Sequence, residues 1–371
     1  MEFSIVIPCR NEGTNVETMV KRIVKALGAS NAYEILFVDD SNDDTPGILE
    51  RLSREYAQVK YIHRENGTGL SSAVIEGFRR AAGDWFIVMD ADLQHPPEAL
   101  PDVIREIHQS SADIIIPSRF VPGASDGGLN RWRKSVSWTA RMLARTLLGR
   151  VRRITDPTSG FFAVRRDVVS TADLDPIGWK ILLELLVRCR YTAVTEMPYQ
   201  FQARDLGSSK LNLKEQWHYV LHLLRLVQSS EEDLKFWKFC LVGSSGVIVN
   251  MLVYLPLVSM GVYIGFAYAL ATVTAMLNNF IWNNLFTWTH LKHDRLWYRM
   301  VKFFTVSLSG LAISSAAVIT GNQWLGLHEA LSGLLGIGIS TGWNFLLNNR
   351  WTFARGKDRI ESGANATQAE S

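Results

Sequence analysis

At 371 residues the chain exceeds one average domain, so two are expected, and a net charge of +3 is too small to argue for a nucleic-acid partner. Three scattered cysteines, Cys9, Cys189 and Cys240, are odd in number and lack metal-ligand spacing, which excludes a disulfide framework and gives no zinc site. The apolar fraction of 47% is ordinary but unevenly spread: residues 1–235 carry normal charge, whereas 239–289 and 303–349 carry almost none.

Residues 3–7 form a short strand that Pro8, Arg10 and Glu12 cut off, which is no signal peptide, so the first half is expected to stay in the cytoplasm. Val16, Met19, Val20, Ile23, Val24 and Leu27 then recur at helical spacing. Residues 33–38 are a near-continuous apolar run, as in a strand covered on both faces. It ends in the acidic stretch 39–46, where Asp44 or Thr45 is placed to cap the next helix. Residues 59–63 are a third strand, followed by Asn66-Gly67-Thr68-Gly69 and a small-residue helix over 71–82. A dinucleotide-binding unit would want GxGxxG after its first strand; PCRNEG stands there instead, which makes hydride transfer a weak reading.

The fourth strand, 85–89, runs into Asp90-Ala91-Asp92, with Gln94 two positions on and Pro96-Pro97 stopping any immediate helix. Two carboxylates at a strand's carboxyl end can share a hard divalent cation that bridges to a substrate phosphate, although Asp is equally common in a plain turn. Alternating strands and helices imply an open parallel α/β sheet with its site at the strand carboxyl ends. The strand 114–117 ends in Ser118-Arg119, and Arg204 and Lys210 follow in FQARDLGSSKL. These cations suit an anionic leaving group, whose charge develops only during transfer.

The segments IVIPCRNE, VDDSNDDT, MDADLQHPPE, PSRF, DPTSGF and RxxGxSKL occur in this order. Together they resemble family 2 glycosyltransferases of the GT-A fold, in particular the dolichyl- and polyprenyl-phosphate mannosyl- and glucosyltransferases. The resemblance implies a Rossmann-like, mostly parallel sheet. Pro8, Arg10, Glu12 and Asp40 would line the nucleotide pocket with Val38 beside it. Asp90, Asp92 and Gln94, with Ala91 between, would hold Mg²⁺ or Mn²⁺ on the donor diphosphate. Arg119, Lys180, Arg204 and Lys210 would contact the donor's sugar and phosphates. Arg133 and Ser137, on one face of a basic amphipathic helix, would hold the acceptor's lipid phosphate. A phosphate acceptor is already ionised at neutral pH, its second pKa being about 6, so no general base is needed. The catalytic set is then Asp92, Arg119 and Arg204.

Residues 212–234 read as an interfacial amphipathic helix and linker, in which His218, His222 and Arg225 break the apolar stripe. Four apolar stretches follow near 239–259, 264–288, 303–324 and 328–349, each close to the roughly 20 residues that cross a bilayer. An internal repeat of about 64 residues relates Lys238-Phe239 and Ser245-Gly246 to Lys302-Phe303 and Ser309-Gly310, and residues 279–288 to 344–353. The block, 235–355, resembles the GtrA-like four-helix membrane family. Asn278, Asn279, Asn283, Asn284, Asn344, Asn348 and Asn349 read as contacts between helices or as a polar path for a headgroup. Lysines and arginines flank the block at both ends and in its middle loop, placing both termini in the cytoplasm. The tail, 356–371, is polar and expected to be disordered, and its sequon Asn365-Ala366-Thr367 would go unused there.

Residues 1–211 are thus expected to form a cytoplasmic transferase domain on a cell-membrane anchor. It would move a hexose, mannose from GDP-mannose first, to a polyprenyl or dolichyl phosphate with inversion. UDP-glucose is the alternative donor, and a non-enzymatic translocator of lipid-linked sugar the alternative class. The lipid bilayer is the expected surrounding partner, and no nucleic acid is expected.

Overall fold

The computed structural model describes residues 1–28, 32–65, 67, 69–127, 131–202, 213–289 and 296–354, excepting the side chains of 131–133 and 213–214. Arg204, Lys210, the tail 356–371 and the Arg133 side chain lie outside the described residues. The chain divides into two compact units, Met1–Asp233 and Leu234–Ser371.

In the first unit strands and helices alternate: β1 (Phe3–Cys9), α1 (Gly13–Leu27), β2 (Tyr33–Asp39), α2 (Thr45–Glu55), β3 (Val59–His63), α3 (Leu70–Arg80), β4 (Trp85–Val88), α4 (Leu100–Gln109) and β5 (Ile114–Ser118). Then come α5 (Arg131–Leu147), β6 (Phe162–Arg165), α6 (Arg166–Val169), α7 (Ile181–Arg188), β7 (Val194–Pro198) and α8 (Leu213–Ser229). Every residue of β1 and β2 is buried, since helices cover both faces of the sheet. The apolar stripe of α1, Val16, Met19, Val20 and Ile23, packs into that core. At the start of α2 the cap differs from expectation: Asp43 Oδ1, not Asp44 or Thr45, accepts the Thr45 N–H at 3.0 Å.

The seven-stranded sheet has the order β3-β2-β1-β4-β6-β5-β7. The chain winds outward from β1 to β3 and then returns to place β4 on the other side of β1. A crevice therefore opens beyond the carboxyl ends of β1 and β4. The sheet is mixed rather than wholly parallel, because β6 runs antiparallel to both β4 and β5. This reversal starts β6 at the edge where β4 and β5 finish. It thereby delivers the preceding loop, 156–161, to the crevice.

α8, within the stretch expected as an interfacial helix and linker, packs onto the first unit. Tyr219 Oη donates to Ala140 O of α5 at 2.7 Å, and Leu223 and Leu226 are fully buried. His222, which interrupts the apolar stripe in sequence, is buried against Glu184 of α7 at 2.9 Å, and Arg188 lies 2.8 Å from the same carboxylate. The opposite face leaves Trp217, Leu221 and Leu224 exposed at one-face spacing.

The second unit contains α9 (Glu231–Ser259), α10 (Ile264–Trp282), α11 (Leu296–Ile319) and α12 (Glu329–Leu347). With the π-helical turns that extend them, four segments are long and apolar enough to cross a membrane: Glu231–Ser259, Ile264–Thr287, Leu296–Trp324 and Glu329–Thr352. The repeat in sequence is a repeat in packing. Gly246 of α9 faces the Asn279 amide of α10, and Gly310 of α11 faces the Asn344 amide of α12. Asn278 donates to Ser245 Oγ at 3.1 Å, and the corresponding Trp343 donates to Ser309 Oγ at 2.9 Å. Trp288 and Phe353, equivalent in the two halves, stack with centroids 4.3 Å apart. Asn284 accepts from Arg299, and Asn349 from Trp288, so these asparagines join segments of the bundle.

A methyl group on Gly246 would lie 2.3 Å from Asn279 Oδ1, whereas one on Gly243 meets nothing within 4 Å. Gly246→Ala is therefore expected to destabilise the membrane unit by about 1–3 kcal/mol through overpacking. Gly243→Ala, on the same helix, is expected to leave it unchanged. Melting of the two variants in detergent checks the difference.

Candidate active site

The crevice is a cleft of about 1080 Å³ that reaches from the ends of β1 and β4 to α5 and α8. Pro8, Arg10, Glu12 and Asp40 line it, as do Asp90, Ala91, Asp92 and Gln94 and also Arg119, Ser137 and Lys180. The sheet topology thus gathers most of the residues expected at the site. Val38, expected beside the nucleotide pocket, is wholly buried, with its Cγ2 close to Gly77 of α3.

The acidic turn after β4 is tightly folded. Leu93 adopts φ +60, and the Gln94 N–H bonds Asp92 Oδ1 at 3.1 Å. The Gln94 amide nitrogen approaches Gln202 O at 3.4 Å, which turns its amide oxygen the other way. His95, also in the cleft lining, accepts the Asp90 N–H on Nδ1 at 3.1 Å. Burial holds the His95 ring down at about 4, so it is neutral. Two carboxylates and an amide oxygen are hard donors, suited to Mg²⁺ or Mn²⁺ when waters and a diphosphate complete the shell. Among the described residues there is no group of three or more His, Cys, Asp or Glu that could hold a metal by itself.

The cations are held rather than dangling. Arg119 bonds both oxygens of Asp156, at 2.9 and 3.1 Å, and Asp156 is fully buried. Asp156 is fixed in turn by Glu196 of β7, which accepts its N–H at 3.0 Å and that of Thr155 at 2.8 Å. Lys180, at the start of α7, donates to Thr158 O at 2.7 Å. Burial first, and then the Arg119 charge, lower its pKa to about 8, while Asp156 and Asp90 oppose the shift. The loop 156–161 is thus a holder of both cations, and Gly160 lets it lie on the acidic turn. A Cβ there would come within 2.8 Å of Asp90 Oδ2.

Asp40 is fastened by Arg64, a residue just beyond β3 with no motif around it. Arg64 Nε and Nη2 each bond one Asp40 oxygen at 2.7 Å. Gly67 allows the loop after β3 to lie on that carboxylate, since a Cβ would stand 2.1 Å from Asp40 Cγ. Asp39 faces inward, bonded by His63 at 2.7 Å and by Ser41. Cys9 also lines the cleft, but burial and Asp39 push its thiol far up, which removes it as a nucleophile. His95, Asp156, Arg64 and Gly160 had no signal in sequence beyond their places inside the quoted segments or beside them. Their partners lie far along the chain.

Comparison with known proteins accounts for both units. Residues 4–172 match the model of glycosyl transferase family 2, and residues 238–353 that of the GtrA/DPMS transmembrane domain. The dolichol-phosphate mannosyltransferase of Pyrococcus furiosus is 41% identical over 355 residues, covering 95% of this chain and 100% of that protein. The chain belongs to glycosyl transferase family 2. This family 2 glycosyltransferase is also 34% identical to the dolichol-phosphate mannosyltransferase of Saccharomyces cerevisiae, over 61% of this chain and 87% of the yeast protein. It is 33% identical to the undecaprenyl-phosphate mannosyltransferase of Micrococcus luteus, over 57% of this chain and 88% of that one. The first unit is thus a GT-A-like transferase domain, and the second makes this glycosyltransferase a multi-pass membrane protein.

Proposed function

We propose that the protein transfers mannose from GDP-mannose to a polyprenyl or dolichyl phosphate at the cytoplasmic face of the cell membrane, inverting the anomeric carbon. The relationship to the Pyrococcus mannosyltransferase carries this reading, because it spans the transferase and membrane units together. Pro8, Arg10, Glu12 and the Arg64-fastened Asp40, all but Arg64 in the cleft lining, bind the nucleoside, and Asp90, Asp92 and Gln94 would hold a divalent cation with their oxygens. Mg²⁺ or Mn²⁺ held there would offset the negative charge that develops on the leaving nucleotide. Arg119 and Lys180 offset the negative charge of donor and acceptor phosphates, whose mutual repulsion otherwise keeps the reacting atoms apart. Arg204 and Lys210 join them in this reading, and Arg133 with Ser137 orients the acceptor phosphate. Ser137 lines the cleft on α5, whose Trp138 and Met142 are exposed, as are Trp217, Leu221 and Leu224 of α8, which suits an acceptor drawn from a lipid surface.

The acceptor oxygen is anionic from the outset, so Asp92 takes no proton. A bell-shaped kcat/KM follows. Its acid limb lies near about 6, where the acceptor phosphate loses its second charge. Its basic limb lies near about 8, because Lys180 loses its cation as pH rises through that value. Lys180→Arg is expected to retain activity in part and move the basic limb upward, since a guanidinium stays charged. An unmoved limb would remove Lys180 from the phosphate-binding set.

The donor is tested by melting the full chain in detergent with Mn²⁺ and either GDP-mannose or UDP-glucose. Preferential binding to the native state raises Tm. A larger rise with GDP-mannose is expected, and a larger rise with UDP-glucose would replace mannose by glucose.

A further inference from the structure

His95 has no part in the chemistry above, yet it is built into the acidic turn. Its ring is almost wholly buried, stacked on Phe161 at 5.4 Å and set against Tyr199 and Phe201 at 6.1 and 5.8 Å. From this apolar cage it reaches back five residues and takes the Asp90 N–H on Nδ1 at 3.1 Å. An acceptor at Nδ1 means that the proton of the neutral ring sits on Nε2. The turn it closes contains Leu93 at φ +60, a left-handed conformation that a branched apolar side chain adopts only when its surroundings enforce it. A second tie, from the Gln202 N–H to Gln94 O at 3.0 Å, fixes the far side of the turn. Gly160 packs against both partners, since a Cβ would lie 2.8 Å from Asp90 Oδ2 and 3.2 Å from His95 Cε1.

We infer that His95 is a positioning residue, whose Nδ1 locks the Asp90–Gln94 turn so that the Asp90 and Asp92 carboxylates and the Gln94 amide converge on one cation. The inference rests on the metal-diphosphate reading of that turn. Without the bond, the strained turn relaxes, Asp90 loses its main-chain anchor, and the oxygens no longer meet at one point. Groups that orient metal ligands from behind matter about 10–100-fold in metal affinity.

Three variants separate the hydrogen bond from the packing. Asparagine places Oδ1 where Nδ1 stands but leaves the aromatic cage underfilled. Phenylalanine fills the cage without an acceptor, and alanine loses both. The full chain in detergent is titrated with Mn²⁺ at fixed GDP-mannose, reading Tm shift and KM for the donor alongside kcat. His95→Asn is expected to keep Mn²⁺ affinity within about threefold of the unmodified protein although its ligand-free Tm falls. His95→Phe is expected to keep Tm but weaken Mn²⁺ affinity and raise donor KM by about tenfold or more, as His95→Ala does. If His95→Phe binds Mn²⁺ like the unmodified protein while His95→Asn does not, His95 is a packing residue and the inference is overturned. If the unmodified protein shows no Mn²⁺-dependent shift at all, it is the metal reading that fails, and the inference with it.

Discussion

Replacing Asp92 with alanine is expected to lower kcat/KM about 10³-fold or more while leaving the ligand-free Tm nearly unchanged. The carboxylate lies in the cleft lining, and its Oδ1 accepts the Gln94 N–H inside the acidic turn. Its role in the proposed mechanism is to hold the cation that takes up charge on the leaving nucleotide. Losing several kcal/mol of such stabilisation corresponds to three or more powers of ten in rate. Asp92→Asn, which keeps shape and the accepted hydrogen bond, is expected to behave like alanine in rate, because the lost feature is charge. Steady-state kinetics with Mn²⁺ checks both, and undiminished transfer in either variant removes Asp92 from the metal site.

Arg119→Ala is expected to cost stability and activity together, unlike Asp92→Ala. The guanidinium bonds both oxygens of Asp156, which is fully buried and held from behind by Glu196. Removing the cation leaves an uncompensated carboxylate in the interior, a change that costs about 3–5 kcal/mol. The same substitution removes positive charge from the cleft where two sets of phosphates are proposed to meet. Arg119→Ala/Asp156→Asn is expected to regain much of the lost stability, since no buried charge is then left unpaired, but none of the transfer. Thermal unfolding and kinetics on the single and double variants separate the two roles. A double variant that also recovers transfer would show that Arg119 serves the fold alone.

The first five strands, the helices that follow the first three of them and the four apolar spans were legible in the sequence, because each shows local periodicity or an unbroken apolar run. β6 and β7 were not. β6 is four residues, FAVR, and its antiparallel pairing with β4 and β5 depends on partners some 50 to 80 positions away. The acidic and basic residues of the cleft could be named from position after strands and from family resemblance. What fastens them could not. Asp156 stands in DPTSGF with nothing local to show its partner, and only the reversal at β6 brings it to Arg119. His222 looked like a polar interruption of α8, whereas a buried carboxylate on α7 gives it a partner. Val38 could be placed beside the pocket from its neighbours in VDDSNDDT, but not its complete burial, which depends on the helices packed over β2. In the membrane unit the glycine–asparagine repeat was visible as letters, and its meaning is steric, each glycine making room for one amide.

Transfer itself decides whether this protein makes a lipid-linked mannose. The full chain in detergent is supplied with Mn²⁺, a polyprenyl phosphate, and radiolabelled GDP-mannose or UDP-glucose, and label is followed into the lipid fraction. Formation of a mannosyl-phospholipid from GDP-mannose that depends on the divalent cation and is lost with Asp92→Ala is the predicted result. No lipid-linked sugar from either donor, with Mg²⁺ or Mn²⁺ present, would contradict it.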